Sequence, residues 1–368
     1  MYLPAVSVAF LVTVIFLLAL RPLAFSINLV DKPGGRKRHV GIVPVIGGIA
    51  MFAGFVVGWV VAPIQYPHLV DLGVAAGLMV AVGVIDDRHP MPPALRFAAH
   101  VTAVLIMVYG AHLRLETLGD PLGFGDLRLG VFSLLVTLLV AVSTINAFNM
   151  VDGIDGLAGT MGLIALSSVA VVAGYGSDFG MLAVVAIAAV LAFLVFNFPT
   201  PWNRRIRTFM GDAGSMMLGL VIVWVTMAVS QGPEAVATPV ICLWFAAMPI
   251  YDLFTCFVLR IRRGHSPFRP GRDHFHHVLQ RAGIGVRATV GILTGLQVIY
   301  AIIGLVAHFA GAGDTLMFAA WAVLGISQRW IVRSYAKYYR LDHRRQRAVQ
   351  AAAAVVPSER DKPGGAAA

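Results

Sequence analysis

Charge is what this sequence has least of. Asp, Glu, Lys and Arg make up 12% of 368 residues, against 58% hydrophobic residues and a mean hydropathy of +0.81. So little polar surface cannot coat a soluble globule, which excludes that class and leaves an all-α, polytopic integral membrane protein. Cysteine is nearly absent: Cys242 and Cys256 share one apolar segment, offer no zinc or redox spacing, and read as core residues. The first apolar run lacks a basic n-region and a small-residue cleavage site, so it is read as a span and not a signal peptide. No internal repeat is visible, and that removes the usual mark of a secondary transporter.

What is there is a succession of apolar runs. Eleven are long enough to span, at roughly 2–20, 43–62, 69–85, 97–113, 129–146, 157–174, 180–198, 215–230, 237–259, 288–309 and 314–332. The third and eighth are short and rich in glycine. With the N-terminus outside and the C-terminus inside, the basic residues from Arg21 to Arg287, and all those after Arg329, fall on the cytoplasmic side. Only Arg114 and Arg128 fall outside. The net charge of +10 is then the ordinary mark of cytoplasmic loops and calls for membrane lipid, not nucleic acid. A membrane domain is expected over roughly 1–334, with polar cytoplasmic loops near 21–42, 86–96, 146–157, 199–215 and 260–287. The tail, 335–368, is expected to begin as a basic, aromatic segment lying on the membrane surface, and to be disordered beyond about Ala348.

The most polar stretch between two apolar runs is NAFNMVDGIDGLAG, residues 146–159. Asn146, Asn149, Asp152 and Asp155 recur every three residues, so neighbours share a helix face while the series drifts by half a turn. The four side chains converge only where the helix breaks, and Gly153 and Gly156 permit that. The other polar motifs lie on the same side. The first loop carries Lys37, Arg38 and His39, suited to an anion at the lipid interface. Asp86 and Asp87 are adjacent carboxylates, which need a cation or a base-like role. Asp212 follows Arg204, Arg205 and Arg207 and opens the eighth span, where it is the leading candidate metal ligand. The last loop places His265, His274, His276 and His277 among Arg260, Arg262, Arg263, Arg269 and Arg272. So many arginines repel a metal cation and suit a multiply charged anion. Carboxylates for a divalent cation, beside bases for phosphates, point to phosphoryl transfer between a soluble nucleotide and a lipid phosphate.

These motifs, with IDDR at 85–88, FMGDAGS at 209–215, HSPFRPGRDHFHH at 265–277 and DKPGGRKRHVGIVPVIGG at 31–48, resemble the polyprenyl-phosphate N-acetylhexosamine-1-phosphate transferases. The resemblance covers loops from Asp31 to about Gly283. Phe275 interrupts the three consecutive histidines typical of the muramoyl-pentapeptide branch, which favours the bacterial N-acetylglucosamine branch. That branch implies UDP-N-acetylglucosamine and undecaprenyl phosphate as substrates, UMP as leaving group, and the start of a cell-envelope polysaccharide such as O-antigen. It also implies a site on the cytoplasmic face of the inner membrane, and it is compatible with a homodimer. The resemblance implies that Asp212 and Asn149 coordinate Mg²⁺ (or Mn²⁺) on the pyrophosphate. Asp86 and Asp87 would position or deprotonate the lipid phosphate, and Asp152 and Asp155 would shape the nucleotide pocket. His274 and Arg272 would contact the pyrophosphate, with Asn146, Arg207, His276 and His277 also toward substrate. Two positions depart from the pattern, Gly271 where Asp is frequent and His100 where Gln is common, and they leave the sugar open. UDP-muramoyl-pentapeptide or another UDP-N-acetylhexosamine stays as an alternative, and an ion-coupled transporter as a remote one.

Overall fold

The computed structural model describes residues 3–32, 41–198, 200, 206–266, 271 and 273–355. The side chains of Ala336 and of residues 340–355 are excepted. The helices are α1 (Leu3–Ser26), α2 (Gly47–Val61), α3 (Leu69–Arg88), α4 (Pro93–Leu105), α5 (Ser133–Val151) and α6 (Leu157–Ala173). They continue with α7 (Asp178–Asn197), α8 (Gly211–Ser230), α9 (Pro239–Phe245), α10 (Ala247–Arg262), α11 (Phe275–Arg281), α12 (Val286–Phe309) and α13 (Asp314–Val355). A short π-helical turn, Ile106–Gly110, extends α4. Among the described residues, extended pairing is limited to a two-residue antiparallel pair, β1 (Val30–Asp31) with β2 (Val43–Pro44), and an isolated antiparallel bridge between Thr117 and Arg128.

Each of the eleven apolar runs holds a helix or helix pair. Eight helical segments are long and apolar enough to cross a membrane, and the α9–α10 pair, bent by 87°, makes up to nine among the described residues. Gly47–Val61 and Leu157–Ala173 are apolar but shorter. Helices are what an apolar chain must form in lipid, because every backbone N–H and C=O then finds its partner within the segment.

The core is organised on α8, 94% of whose most apolar stretch is buried, against 22% in α1 and 17% in α13. Close backbone approach at glycines is the reason. A Cβ on Gly83 of α3 would lie 2.2 Å from Ala213 Cα, and one on Gly48 of α2 would lie 2.3 Å from the Gly214 nitrogen. Small residues let these backbones touch, which is how helices associate where lipid is as apolar as leucine. Loop segments are sewn to the same end of α8. Gly47 and Gly48 donate to the carbonyls of Phe209 and Met210, and Phe209 N–H donates back to Pro44.

Two elements differ from expectation. The run over 237–259 is not one rod but a broken one. The bend at Ala246 frees backbone groups, and buried Gln297 of α12 satisfies them. Its amide oxygen accepts from Met248 N–H at 2.8 Å, and its nitrogen donates to the carbonyls of Phe245 at 2.8 Å and Trp244 at 3.3 Å. The second difference is α13, which runs unbroken to Val355, so the basic segment continues the last span and helix extends past Ala348. Its 42 residues reach about 63 Å, twice a bilayer's hydrocarbon core of ~30 Å. Alanine, the strongest helix former, fills 351–354 and carries the helix on.

Replacing Gln297 by Leu strands one N–H and two carbonyls in an apolar interior. Unfolding of the detergent-purified protein should become easier by about 2 kcal/mol or more, whereas Gly295→Ala, with nothing within 4 Å of the added carbon, should not destabilise. An unchanged midpoint for Gln297→Leu would show that the bend does not depend on this side chain.

Candidate active site

At the end of the bundle where α3 stops and α8 begins lies a cavity of about 880 Å³. Its walls include Asp86 and Asp87 from α3, Asp152 and Asp155 from the α5–α6 turn, Arg207, Asp212 from α8, and His277 and Arg281 from α11. Three separate stretches of sequence thus deliver these five carboxylates to one space, and Asp31 adds a sixth.

Asp87 joins two of these elements. Its carboxylate accepts from the N–H of Asp212 at 3.0 Å and of Ala213 at 3.4 Å, capping α8 from a neighbouring helix. A negative charge is favoured there by the helix dipole. Gly211 makes the approach feasible: its φ is +71°, and a Cβ on it would meet Asp87 Oδ2 at 2.4 Å. Asp86 is buried, and both its oxygens are occupied, one by Met91 N–H at 2.6 Å and the other by Arg96 at 3.0 Å. The same guanidinium stands 3.9 Å from Asp212. Arg96 is therefore a cation shared between the two carboxylates.

The α5–α6 turn is the break that the spacing of Asx residues requires. Helix α5 ends at Val151, and Gly156, at φ +80°, precedes α6. Asn197 locks the turn: its side chain accepts from Gly156 N–H at 2.6 Å and donates to the Thr208 carbonyl at 2.9 Å. Asp155 pairs with Arg207, whose guanidinium lies over the Phe209 ring at 5.2 Å. Asp152 has no such cation among the described residues. Burial, then the charges of Asp212 and Asp87, hold its carboxyl well above the usual range. Asn149 donates to Asp212 Oδ1 at 2.7 Å and to Ser215 at 3.1 Å, behind the cavity wall.

The histidines divide. His277 lines the cavity. His276 is buried against Gly153, where an added Cβ would lie 2.4 Å from its Nε2, and that nitrogen has no hydrogen-bond partner among the described residues. Burial and neighbouring His277 push its imidazole down to about 3, so it is neutral. His274 does not face the cavity. Its Nδ1 sits 2.8 Å from Asp252, behind α11. Asn146 is also displaced from the expected convergence: it bonds the Val142 carbonyl at 2.8 Å and faces His100 at 3.4 Å. This is the half-turn drift of the series, since the break comes after Asn149. His100 itself packs on Met216. Lys37, Arg38, His39 and Arg272 lie outside the described residues.

Sequence reasoning placed Arg96 in a basic loop without a role and missed Asn197 and Asp252. Asn197 was detectable as an amide closing an apolar run. Asp252 was detectable as an acid inside one.

The donor set suits a hard divalent cation such as Mg²⁺. Asp212, Asn149 and the flanking carboxylates offer oxygen, with no thiol and with more negative charge than Arg96 and Arg207 balance.

Residues 69–230 match the model of the glycosyl transferase family 4, a stretch that includes Asp86, Asp87, Asp152, Asp155 and Asp212. Three similar relatives are each called undecaprenyl-phosphate alpha-N-acetylglucosaminyl 1-phosphate transferase. The one from Salmonella typhi is 35% identical over 92% of this chain and 94% of its own length. That from Haemophilus influenzae is 32% identical over 87% and 91%, and that from Escherichia coli strain K12 is 33% identical over 82% of each. With the family's motifs gathered round one cavity and identity sustained along nearly the whole chain, this protein belongs to the glycosyl transferase family 4.

Proposed function

We propose that this chain transfers N-acetylglucosamine-1-phosphate from UDP-N-acetylglucosamine to undecaprenyl phosphate and releases UMP. The observation that carries the reading is the single cavity holding Asp86, Asp87, Asp152, Asp155 and Asp212 beside Arg207 and His277. The activity for which the relatives are named supports it. In the reaction, an oxygen of the lipid phosphate attacks the β-phosphorus of the nucleotide sugar. The bond from that phosphorus to the bridging oxygen breaks, and the electron pair leaves with UMP.

Asp212, with Asn149, would hold Mg²⁺ (or Mn²⁺), which would supply electrostatic stabilisation of the charge that develops on the leaving oxygen. Asp87 keeps Asp212 in place through the N-terminus of α8. Arg207, fixed by Asp155 and Phe209, and His277 face the phosphates, joined by Lys37, Arg38, His39 and Arg272. Asp86 is best read as orienting Arg96 and not as a base, because both its oxygens already accept hydrogen bonds. A phosphate monoester with a second pKa near ~6 needs no base at neutral pH.

The cavity lies on the cytoplasmic side of an eleven-span, N-outside protein of the bacterial inner membrane. Positive charge along the connecting segments supports this orientation. The two short helices, Gly47–Val61 and Leu157–Ala173, count as spans here: α6 follows the polar turn that lines the cavity, and Val45, just before α2, lines it too. The sugar pocket is assigned to N-acetylglucosamine on the strength of the relatives' names and of Phe275 within the histidine run.

Asp212→Ala should abolish UMP release by full-length protein while leaving folded protein in the membrane. Near-normal turnover would remove Asp212 from the metal role. Against a panel of UDP-sugars, UDP-N-acetylglucosamine should give the highest kcat/KM. A higher value for UDP-muramoyl-pentapeptide or another UDP-N-acetylhexosamine would reassign the substrate.

A further inference from the structure

Behind the active-site wall is a buried polar chain that the reaction described above does not use. Asp252, Cys256 and Arg260 lie four residues apart on one face of α10. All three close on His274, the residue before α11. Asp252 Oδ2 is 2.8 Å from His274 Nδ1, Cys256 Sγ is 3.4 Å from the same nitrogen, and Arg260 Nη2 is 3.4 Å from Nε2. The second oxygen of Asp252 accepts from the N–H of Phe275, the first residue of α11, at 2.8 Å. Asp252 and Arg260 are each 3% exposed.

A carboxylate, a thiol and an imidazole this close would suit a soft metal, but two facts decide against one. Both oxygens of Asp252 are already engaged as acceptors, and Arg260 brings a permanent positive charge to the other edge of the ring. The cluster is instead a directed hydrogen-bond chain. Asp252 can only accept, so Nδ1 of His274 carries the hydrogen. Nε2 then offers its lone pair to Arg260, which can only donate.

The chain acts on α11. This helix has no cap from its own sequence: His274 makes no side-chain cap bond, and Asp252 supplies the missing acceptor from α10. The rest of α11 is the cavity wall. The His274 ring stacks on His276 at 5.7 Å and 10°, His276 lies 4.1 Å from His277, and His277 and Arg281 line the cavity.

We propose that Asp252 is a positioning residue for the transfer reaction. It fixes His274 in its Nδ1–H form and clamps the start of α11, and so sets where His277 and Arg281 meet the substrate phosphates. This rests on the function proposed above. Asp252 touches no substrate; it acts through the helix it holds.

The test uses full-length protein in nanodiscs, with UMP release from UDP-N-acetylglucosamine and undecaprenyl phosphate, and kinetics expressed per folded molecule. Asp252→Asn presents an amide hydrogen to His274 and inverts the chain. It should lower kcat by about 10–100-fold in protein that remains folded. His274→Phe should cost a similar factor, and the double variant no more than the worse single one, because both cut the same link. Nitrogen NMR of the labelled histidines should place the His274 hydrogen on Nδ1 in the wild type. An unchanged kcat per folded molecule, losses that multiply in the double variant, or a hydrogen on Nε2 would each overturn the proposal. So would stoichiometric Zn²⁺ retained by the purified protein. Should Asp252→Asn fail to fold, the wild-type tautomer decides, since it requires no variant. Wild-type protein that releases no UMP would instead overturn the function reading, and the ring nitrogen spectrum is independent of that.

Discussion

The constraint on which the rest depends is the repulsion among carboxylates gathered at the end of an apolar bundle. Two like charges ~4 Å apart cost about 4 kcal/mol at an effective dielectric near 20, and this site brings together Asp86, Asp87, Asp152, Asp155 and Asp212. The fold meets the repulsion locally. Arg96 bridges Asp86 toward Asp212, Arg207 takes Asp155, and Asp87 is spent on the N-terminal amides of α8. Asp152 keeps no cation among the described residues, and burial, then the charges of Asp212 and Asp87, hold its carboxyl well above the usual range. The divalent cation proposed for this site, with the phosphates it would accompany, would offset the remaining negative charge.

Packing serves this arrangement. Asp87 and Asp212 meet because α3 and α8 run backbone to backbone at Gly83 and Ala213, and Gly211 then turns the chain where a side chain would strike Asp87. The acids lie at helix ends and in one turn, not at the middle of broken, repeated helices. The one sharply broken helix pair among the described residues, α9–α10, is held open by Gln297. A binding site at mid-membrane is the mark of a transporter; an end-of-bundle cavity suits a reaction between a lipid headgroup and a soluble nucleotide.

Much of this was legible in the sequence. Apolar run length located a helix in each run, since lipid enforces helix wherever water is absent, and eight to nine helical segments among the described residues are long and apolar enough to cross a membrane. Convergence of the three-residue series needed a break permitted by Gly153 and Gly156; the break is there, but Asn146 stays outside it. What was not legible depends on partners distant in sequence. Arg96 reads as another basic loop residue until α3 and α8 place two carboxylates beside it. Asn146 drops out because the helix runs on past Asn149, a boundary that residue spacing does not set. His274 turns from the cavity because Asp252, a lone acid 22 residues earlier, captures it. Gly83 and Gly219, in the third and eighth runs, looked like weakness, yet an added Cβ would lie 2.2 Å from Ala213 Cα and 2.8 Å from Ile145 Cα.

The most direct measurement is a structure determined with Mn²⁺ present, with the ion located by its anomalous scattering. One ion per chain, seated on Asp212 with Asn149 and the flanking carboxylates and with Arg96 drawn away from Asp212, is the result predicted here. An ion held instead by Asp252, Cys256 and His274, or none in the carboxylate cavity, would contradict the account.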